Sequence, residues 1–80
     1  MYTYKPKGVC SRKITFDIKN NVIQNVHFLG GCDGNLQGLS KLIEGMDPTN
    51  AIKKLSGIKC GNKNTSCPDQ LATALKQAIS

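Results

Sequence analysis

Hydrophobic and polar residues alternate between residues 13 and 19, a period of two that predicts a strand with one buried face. The apolar members of this alternation are Ile14, Phe16 and Ile18. Asn20 and Asn21 follow and predict a tight turn, because asparagine tolerates positive φ. The residues after the turn are rich in β-branched and aromatic side chains, which favour a returning strand. Residues 12–29 are therefore predicted to form a β-hairpin.

The returning strand does not reveal which of its faces is buried. The two competing faces are Val26 with Phe28, and Ile23 with His27 and Leu29. We expect His27, the only histidine of the chain, to pack within the sheet rather than to bind a metal. A short additional strand is predicted at residues 2–5, where Pro6 and Gly8 end it.

After the hairpin, apolar residues recur at helical spacing, which predicts three helices. Asp33 or Asn35 is the candidate N-cap of the first helix. Asp47 as N-cap and Pro48 at the first helical position predict the start of the second. Each of these two helices is expected to end at a glycine, Gly45 and Gly57 respectively.

The third helix is predicted to run from Cys67 or Pro68 to about Ile79. The side chains that the helices are expected to bury are Leu36, Leu39, Leu42 and Ile43 in the first, Ala51, Ile52 and Leu55 in the second, and Leu71, Leu75, Ala78 and Ile79 in the third. This order of elements predicts an α+β fold, a small antiparallel sheet of two or three strands followed by three helices packed on one face. At 80 residues, we expect residues 1–80 to form a single domain.

All four cysteines fall in predicted loops at the boundaries of these elements; they are Cys10, Cys32, Cys60 and Cys67. Cys10 precedes the hairpin and Cys32 follows it, so the returning strand should bring both to the same end of the sheet. The second helix carries the chain back toward that end, where we expect Cys60 and Cys67 as well. Four loop cysteines that converge at one end are typical of a tetrahedral thiolate site.

The chemistry predicted for this cluster is metal binding, with zinc favoured. A core of this size rarely supplies more than about 3–5 kcal/mol, so a metal that joins distant loops would stabilise the domain. Cys67 is expected at a helix N-terminus, where free N–H groups favour a thiolate. Three alternatives stay open: an iron–sulfur cluster on the same four thiolates, a thiol–disulfide pair of Cys60 and Cys67, or four inert cysteines.

Asp33 and Ser66 each adjoin a cysteine in sequence, and both are candidates to support the metal ligands without binding the metal directly. For Asp33, a role as the N-cap of the first helix is expected before a role near the metal. No catalytic residue is predicted, because no Ser/His/Asp set or pair of carboxylates stands out in the sequence.

The formal charge of +6 changes this picture little. The basic residues are scattered and accompany no aromatic cluster, so a solvated surface is expected rather than a nucleic-acid interface. No apolar segment approaches the length of about 20 residues that spans a bilayer. The first ten residues lack the apolar core of a secretory signal, so we expect a cytoplasmic protein, in which cysteines serve metal or redox chemistry more often than disulfides.

The sequence TSCPD at residues 65–69 resembles the motif that names the TSCPD-domain family, and the likeness covers nearly all of the chain. The chain looks especially like the small stand-alone branch with four cysteines, with GVC at 8–10, GGC at 30–32 and KC at 59–60. Larger relatives of the domain form a C-terminal part of adenosylcobalamin-dependent ribonucleotide reductases. The resemblance therefore implies a cysteine metal site, a link to deoxynucleotide synthesis and a protein partner such as a ribonucleotide reductase.

A second, more distant resemblance over residues 8–79 is to the U-type iron–sulfur scaffold fold, whose three cysteine positions are matched by Cys10, Cys32 and Cys67. The scaffold's aspartate is replaced by Arg12 and its histidine by Ser66, while Cys60 adds a fourth thiolate. This set implies a closed, static site, more like structural zinc than transient cluster assembly.

We therefore expect a zinc-binding accessory module with no catalysis of its own, because 80 residues cannot hold the catalytic barrel of ribonucleoside-diphosphate reductase. An iron–sulfur scaffold or carrier, and a thiol redox donor to that reductase, are the alternatives. The resemblance does not predict an oligomeric state.

Overall fold

The computed structural model describes residues 1–9, 11–30, 33–59 and 61–79, with Asp33 described through its backbone alone. Three strands are followed by three helices: β1 Tyr2–Tyr4, β2 Ser11–Lys19, β3 Val22–Gly30, α1 Asp33–Ile43, α2 Pro48–Leu55 and α3 Cys67–Ile79. The strands form one antiparallel sheet in the order β1-β2-β3. The predicted α+β fold is confirmed.

The hairpin turn between β2 and β3 forms at the predicted asparagines. Asn20 and Asn21 have φ values of 53° and 64°, and Lys19 pairs with Val22 across them. Two successive residues with positive φ give the two-residue turn whose twist matches that of the flanking strands. The short strand predicted near the N-terminus is also present, as β1.

A β-bulge in β3 explains why its hydrophobic phase was ambiguous. Asp17 pairs with Gln24, and Thr15 with His27, so two residues of β3, Asn25 and Val26, oppose a single residue of β2. Asn25 has a φ of 57°. Its backbone N–H donates to the carboxylate of Glu44, at 3.0 Å and 3.3 Å from the two oxygens, and its side chain donates to Asp17.

The bulge shifts the alternation by one residue, so that side chains from both competing sets face the core. Ile23 and Val26 are both buried, and Phe28 packs against them. His27 instead lies on the opposite face and is exposed. The expectation that His27 packs within the sheet is therefore wrong.

A second irregularity, at Arg12, reorients the first residue of β2. Ser11 pairs with Gly30 and Lys13 with Leu29, which leaves Arg12 as an extra residue in β2. Strict alternation from the buried Ile14 would place Arg12 inward and Ser11 outward. In the structure Arg12 is exposed, whereas Ser11 is buried with only 2% of its surface exposed. The bulge thus points a serine into the protein.

The helices begin and end close to the predicted residues. The Asp47 side chain accepts from the Asn50 N–H at 3.3 Å and caps α2, and Pro48 is the first residue of that helix. The glycines at positions 45 and 57 follow α1 and α2 with φ values of 80° and 83°. Asp33 is the first residue of α1, and α3 begins at Cys67 as predicted.

One hydrophobic core joins the sheet to the helices, and it confirms most of the predicted buried residues. Its most deeply buried members are Ile14, Phe16, Ile23, Ala51, Leu71, Ala72 and Leu75. Two predictions are wrong: 77% of Leu42 and 45% of Ile79 are exposed. At about 100° per residue, Ile43 lies about 20° from Leu36 around α1, whereas Leu42 lies about 120° away and faces solvent. No helix in the described part of the chain is both long and apolar enough to cross a membrane.

Candidate functional site

The start of α3 carries Cys67 and is fixed by the residue before it. The hydroxyl of Ser66 accepts a hydrogen bond from the Asp69 N–H at 3.2 Å, which is the bond of a helix N-cap. The same hydroxyl donates to the backbone carbonyl of Ile58 at 2.7 Å, and Ser66 is only 4% exposed. Ser66 therefore caps α3 and also fastens to it the segment that leads to Cys60.

Asp69 strengthens this attachment with a carboxylate. Its Oδ1 accepts from the Gly57 N–H at 2.7 Å, and its Oδ2 accepts a short hydrogen bond from the Thr65 hydroxyl. These bonds, that of Thr65 foremost and that of Gly57 next, lower the pKa of Asp69 below its usual value. The ionised side chain thus joins the end of α2 to the first turn of α3.

Gln70 performs the same task for the N-terminal segment. Its Oε1 accepts from the Tyr4 hydroxyl at 3.2 Å and from the Lys7 N–H at 3.0 Å. Its Nε2 donates to the Thr65 hydroxyl at 3.0 Å. Gly8, which has a φ of +74°, lies beside Thr65: a Cβ on this glycine would be in van der Waals contact with the Thr65 methyl group, at 3.4 Å. The residues just before Cys10 are therefore held against the start of α3.

Ser11, the buried serine at the Arg12 bulge, makes a hydrogen bond with one of the predicted ligands. Its Oγ lies 3.0 Å from Cys67 Sγ, and geometry allows either atom to be the donor. Ser11 also pairs with Gly30 in the sheet, so β2 and β3 both reach the start of α3 at this point.

Of the four predicted metal ligands, Cys67 is the one that the structure describes, at the first position of α3 and half-buried. Cys10, Cys32 and Cys60 lie outside the described residues, as does the side chain of Asp33. Within residues 1–9, 11–30, 33–59 and 61–79, no three side chains of histidine, cysteine, aspartate or glutamate are grouped to hold a metal ion. The four-cysteine site remains a prediction.

Sequence reasoning missed two residues at this site, Ser11 and Gln70. Ser11 adjoins Cys10, but periodicity gave no sign that its side chain turns inward, because the bulge at Arg12 reverses the expected face. Gln70 follows the TSCPD sequence directly. Its part in holding the N-terminal segment depends on contacts with Tyr4 and Lys7, which are 66 and 63 residues away in the chain.

Comparison with known proteins agrees with the sequence pattern. A family model described as the TSCPD domain matches residues 2–79. Searches of curated proteins and of solved structures give no match. The match includes the hydrogen-bonded residues that surround Cys67 as well as the TSCPD sequence itself. Because it spans nearly the whole chain, the protein belongs to the TSCPD-domain family.

Proposed function

We propose that this protein is a zinc-binding accessory module in which Cys10, Cys32, Cys60 and Cys67 hold one metal ion. Thiolates are the ligands that structural zinc sites use most, and four of them complete a closed tetrahedral site with no position left for a substrate. The bound metal would supply a cross-link between four segments of a small domain. Catalysis by the module itself is not part of the proposal.

The observation that carries this proposal is the meeting of chain segments around Cys67. Ser11, which follows Cys10, contacts the Cys67 sulfur, and Gly30, two residues before Cys32, pairs with Ser11. Ile58, two residues before Cys60, bonds to the residue before Cys67. Each of the other three cysteines is thus one or two residues along the chain from a described residue at this end.

The surrounding charges favour the same proposal. Four thiolates and a divalent metal carry a net charge of about −2. Lys7, Lys59 and Lys63 each lie within three residues of a candidate cysteine in sequence, and all three are exposed. Their positive charges would stabilise an anionic site that lies near the surface, at a screened and therefore modest strength.

Metal analysis tests the proposal. We expect the protein, purified without added metal, to contain about one zinc ion per chain and to lose thermal stability when a strong chelator is added. Cys10→Ser and Cys67→Ser should each abolish stoichiometric zinc. Ser40→Ala, which removes a hydroxyl bonded to the Leu36 carbonyl within α1, is the matched control and should keep its zinc.

The other outcomes distinguish the alternatives. Iron and sulfide in place of zinc, with visible absorbance after anaerobic purification, would replace the zinc proposal with an iron–sulfur carrier. A metal-free protein with a reversible disulfide between Cys60 and Cys67 that survives Cys10→Ser would instead favour a thiol redox donor. A metal-free protein without such a disulfide would refute all three.

We further propose, on the strength of the family, that the partner is a ribonucleotide reductase. The test uses a purified adenosylcobalamin-dependent reductase from which its own TSCPD region has been deleted. Calorimetry should detect binding of the zinc-loaded module, and Cys67→Ser should weaken that binding while Ser40→Ala does not. Equal binding by all three proteins would show that the metal plays no part in binding. Absence of binding by the wild type would refute the proposal that the partner is a ribonucleotide reductase.

A further inference from the structure

We propose that Ser11 is a positioning residue for the metal site, and that its hydroxyl donates a hydrogen bond to the Cys67 sulfur. This inference rests on the proposed function, because it assigns Cys67 the role of a metal ligand. Three features of the described residues lead to it: the bulge at Arg12, the burial of Ser11, and the 3.0 Å contact.

The bulge supplies the orientation. An extra residue in one strand reverses which face the residues beyond it occupy, and such bulges occur next to functional sites where they redirect a side chain. If β2 kept an unbroken alternation through Arg12, Ser11 would point toward the exposed face of the sheet together with Lys13. The irregularity in β2 therefore has a definite result, which is to place a hydroxyl against Cys67.

Burial makes the contact obligatory. A hydroxyl taken out of water must find a partner or cost on the order of 1–3 kcal/mol, and Ser11 is 2% exposed. Among the described residues, the hydrogen-bond partner of this hydroxyl is the Cys67 sulfur. Alanine would suffice at this position if the side chain only had to fill space. A buried serine whose hydroxyl bonds to a sulfur is therefore suited to holding that sulfur in place.

The direction of the hydrogen bond follows from the state of the sulfur. A thiol is a weak donor, and a thiolate has no proton and can only accept. Hydrogen bonds to an ionised acceptor are shorter and about twice as strong as neutral ones, which agrees with a short contact of 3.0 Å for a sulfur atom. In the metal-bound protein Ser11 is therefore the donor.

Such a bond affects the ligand in two ways. It fixes the direction of the sulfur before the metal arrives, so that less freedom is lost on binding. It also withdraws electron density from the sulfur, which makes Cys67 a less reactive nucleophile and a more static ligand. Loss of outer hydrogen bonds of this kind typically lowers metal affinity by about 10–100-fold.

The experiment uses cobalt(II) as a spectroscopic probe in the full chain. Sulfur-to-cobalt charge-transfer bands report the energy of the thiolate lone pairs, which a hydrogen bond lowers. Ser11→Ala should shift these bands to lower energy and weaken cobalt and zinc binding about 10-fold. Ser40→Ala, the same deletion at a hydroxyl bonded to a carbonyl within α1, should leave band positions and affinity unchanged.

A pair of variants of equal shape keeps the test decisive should Ser11→Ala fold poorly. Ser11→Thr and Ser11→Val add the same bulk to the buried site and differ in the hydroxyl alone. The threonine variant should keep the wild-type bands, and the valine variant should show the shift. Equal spectra for the two, or an unshifted spectrum for Ser11→Ala, would overturn the role of Ser11 while leaving the metal site intact. Absence of sulfur charge-transfer bands in the wild type would overturn the proposed function, and the role of Ser11 with it.

Discussion

The Asp69 carboxylate joins the end of α2 to the first turn of α3. Replacing Asp69 with asparagine tests how far this connection depends on a negative charge. The carboxylate accepts from the Thr65 hydroxyl and from the Gly57 N–H. Asparagine keeps one oxygen for Gly57, but presents an NH2 group to Thr65, whose hydroxyl must then accept rather than donate. The variant therefore removes the charge and reverses one hydrogen bond without leaving a cavity.

The magnitude follows from the difference between charged and neutral hydrogen bonds. Bonds to charged groups contribute about 1.5–3 kcal/mol each, and neutral bonds about 0.5–1.5 kcal/mol. Because Asp69 is half-buried, solvent screens part of this difference. We expect Asp69→Asn to lower the free energy of unfolding by about 1 kcal/mol, which lowers the melting temperature of a domain of this size by about 4–8 °C.

The loss should depend on pH in a direction set by the lowered pKa of Asp69, whose largest cause is the Thr65 hydrogen bond. A carboxylate with a lower pKa in the folded state stabilises the fold above the pKa of the unfolded chain, about 3.9. That contribution disappears as the pH falls through the folded-state pKa. The stability difference between wild type and variant should be constant between about pH 5 and 7, and should narrow below about pH 4.

Urea unfolding followed by circular dichroism at several pH values measures this difference, with equal metal content in both proteins. Asp47→Asn is the control, because asparagine also caps a helix; its one oxygen can replace only one of the two acceptors that bond to Asn21 and Asn50, both at 3.3 Å, so a smaller loss than at Asp69 is expected. A difference at pH 3 as large as at pH 7 would show that the charge of Asp69 is not the source of the stability, and the reasoning from its pKa would fail.

Three further variants test other parts of the fold. Gln70→Ala should cost about 1–2 kcal/mol and speed amide exchange in residues 1–9, because it removes the acceptor that holds them; unchanged exchange would show that other contacts suffice. Asn25→Gly should be tolerated, whereas Asn25→Ala should cost about 1 kcal/mol because alanine is strained at positive φ; equal melting temperatures would contradict this account of the bulge. Leu75→Ala should cost about 2–5 kcal/mol in chemical unfolding, against less than about 0.5 kcal/mol for Leu42→Ala on the exposed face of α1; similar losses would contradict the assignment of the core.

The elements of the fold could be predicted from the sequence because local signals and burial agree over most of the chain. The asparagine turn, the Asp47 cap with Pro48, and the start of α3 at Cys67 each depend on residues within four positions of one another. Such signals need no knowledge of the tertiary structure. Helical spacing likewise identified the buried residues of α2, where each apolar position falls on one face.

The two bulges could not be predicted, because periodicity assumes that alternation continues unbroken. Asparagine tolerates the positive φ at position 25, but this tolerance alone does not predict a bulge. The backbone N–H of Asn25 donates to Glu44, which is 19 residues away and cannot be identified from local sequence. At Arg12 a charged residue in a predicted strand gave no sign of an inserted position. Both bulges change which face a residue occupies, so the exposure of His27 and the burial of Ser11 were not predicted.

The candidate site was predicted in part. The expectation that α3 begins at Cys67 is confirmed, and the contacts of Ser11 with Cys67 and of Ser66 with Ile58 agree with converging segments. The four-cysteine ligand set stays a prediction, since Cys10, Cys32 and Cys60 lie outside the described residues. Ser66 caps α3, the helix that begins at Cys67, and its support of metal ligands stays a prediction.

The TSCPD sequence contains one candidate ligand, and the other four residues organise its surroundings. Ser66 and Asp69 bond to Ile58 and Gly57 in the segment after α2, and Thr65 bonds to Asp69. Pro68 lies in the first turn of the helix, where a missing N–H costs nothing. Bringing distant loops together costs conformational entropy whether or not a metal is present. The hydrogen bonds of these residues offset part of this entropy cost before any metal binds, because they hold segments that lead to the cysteines. In the proposed metal site, affinity therefore depends on side chains that never touch the metal as well as on the four thiolates.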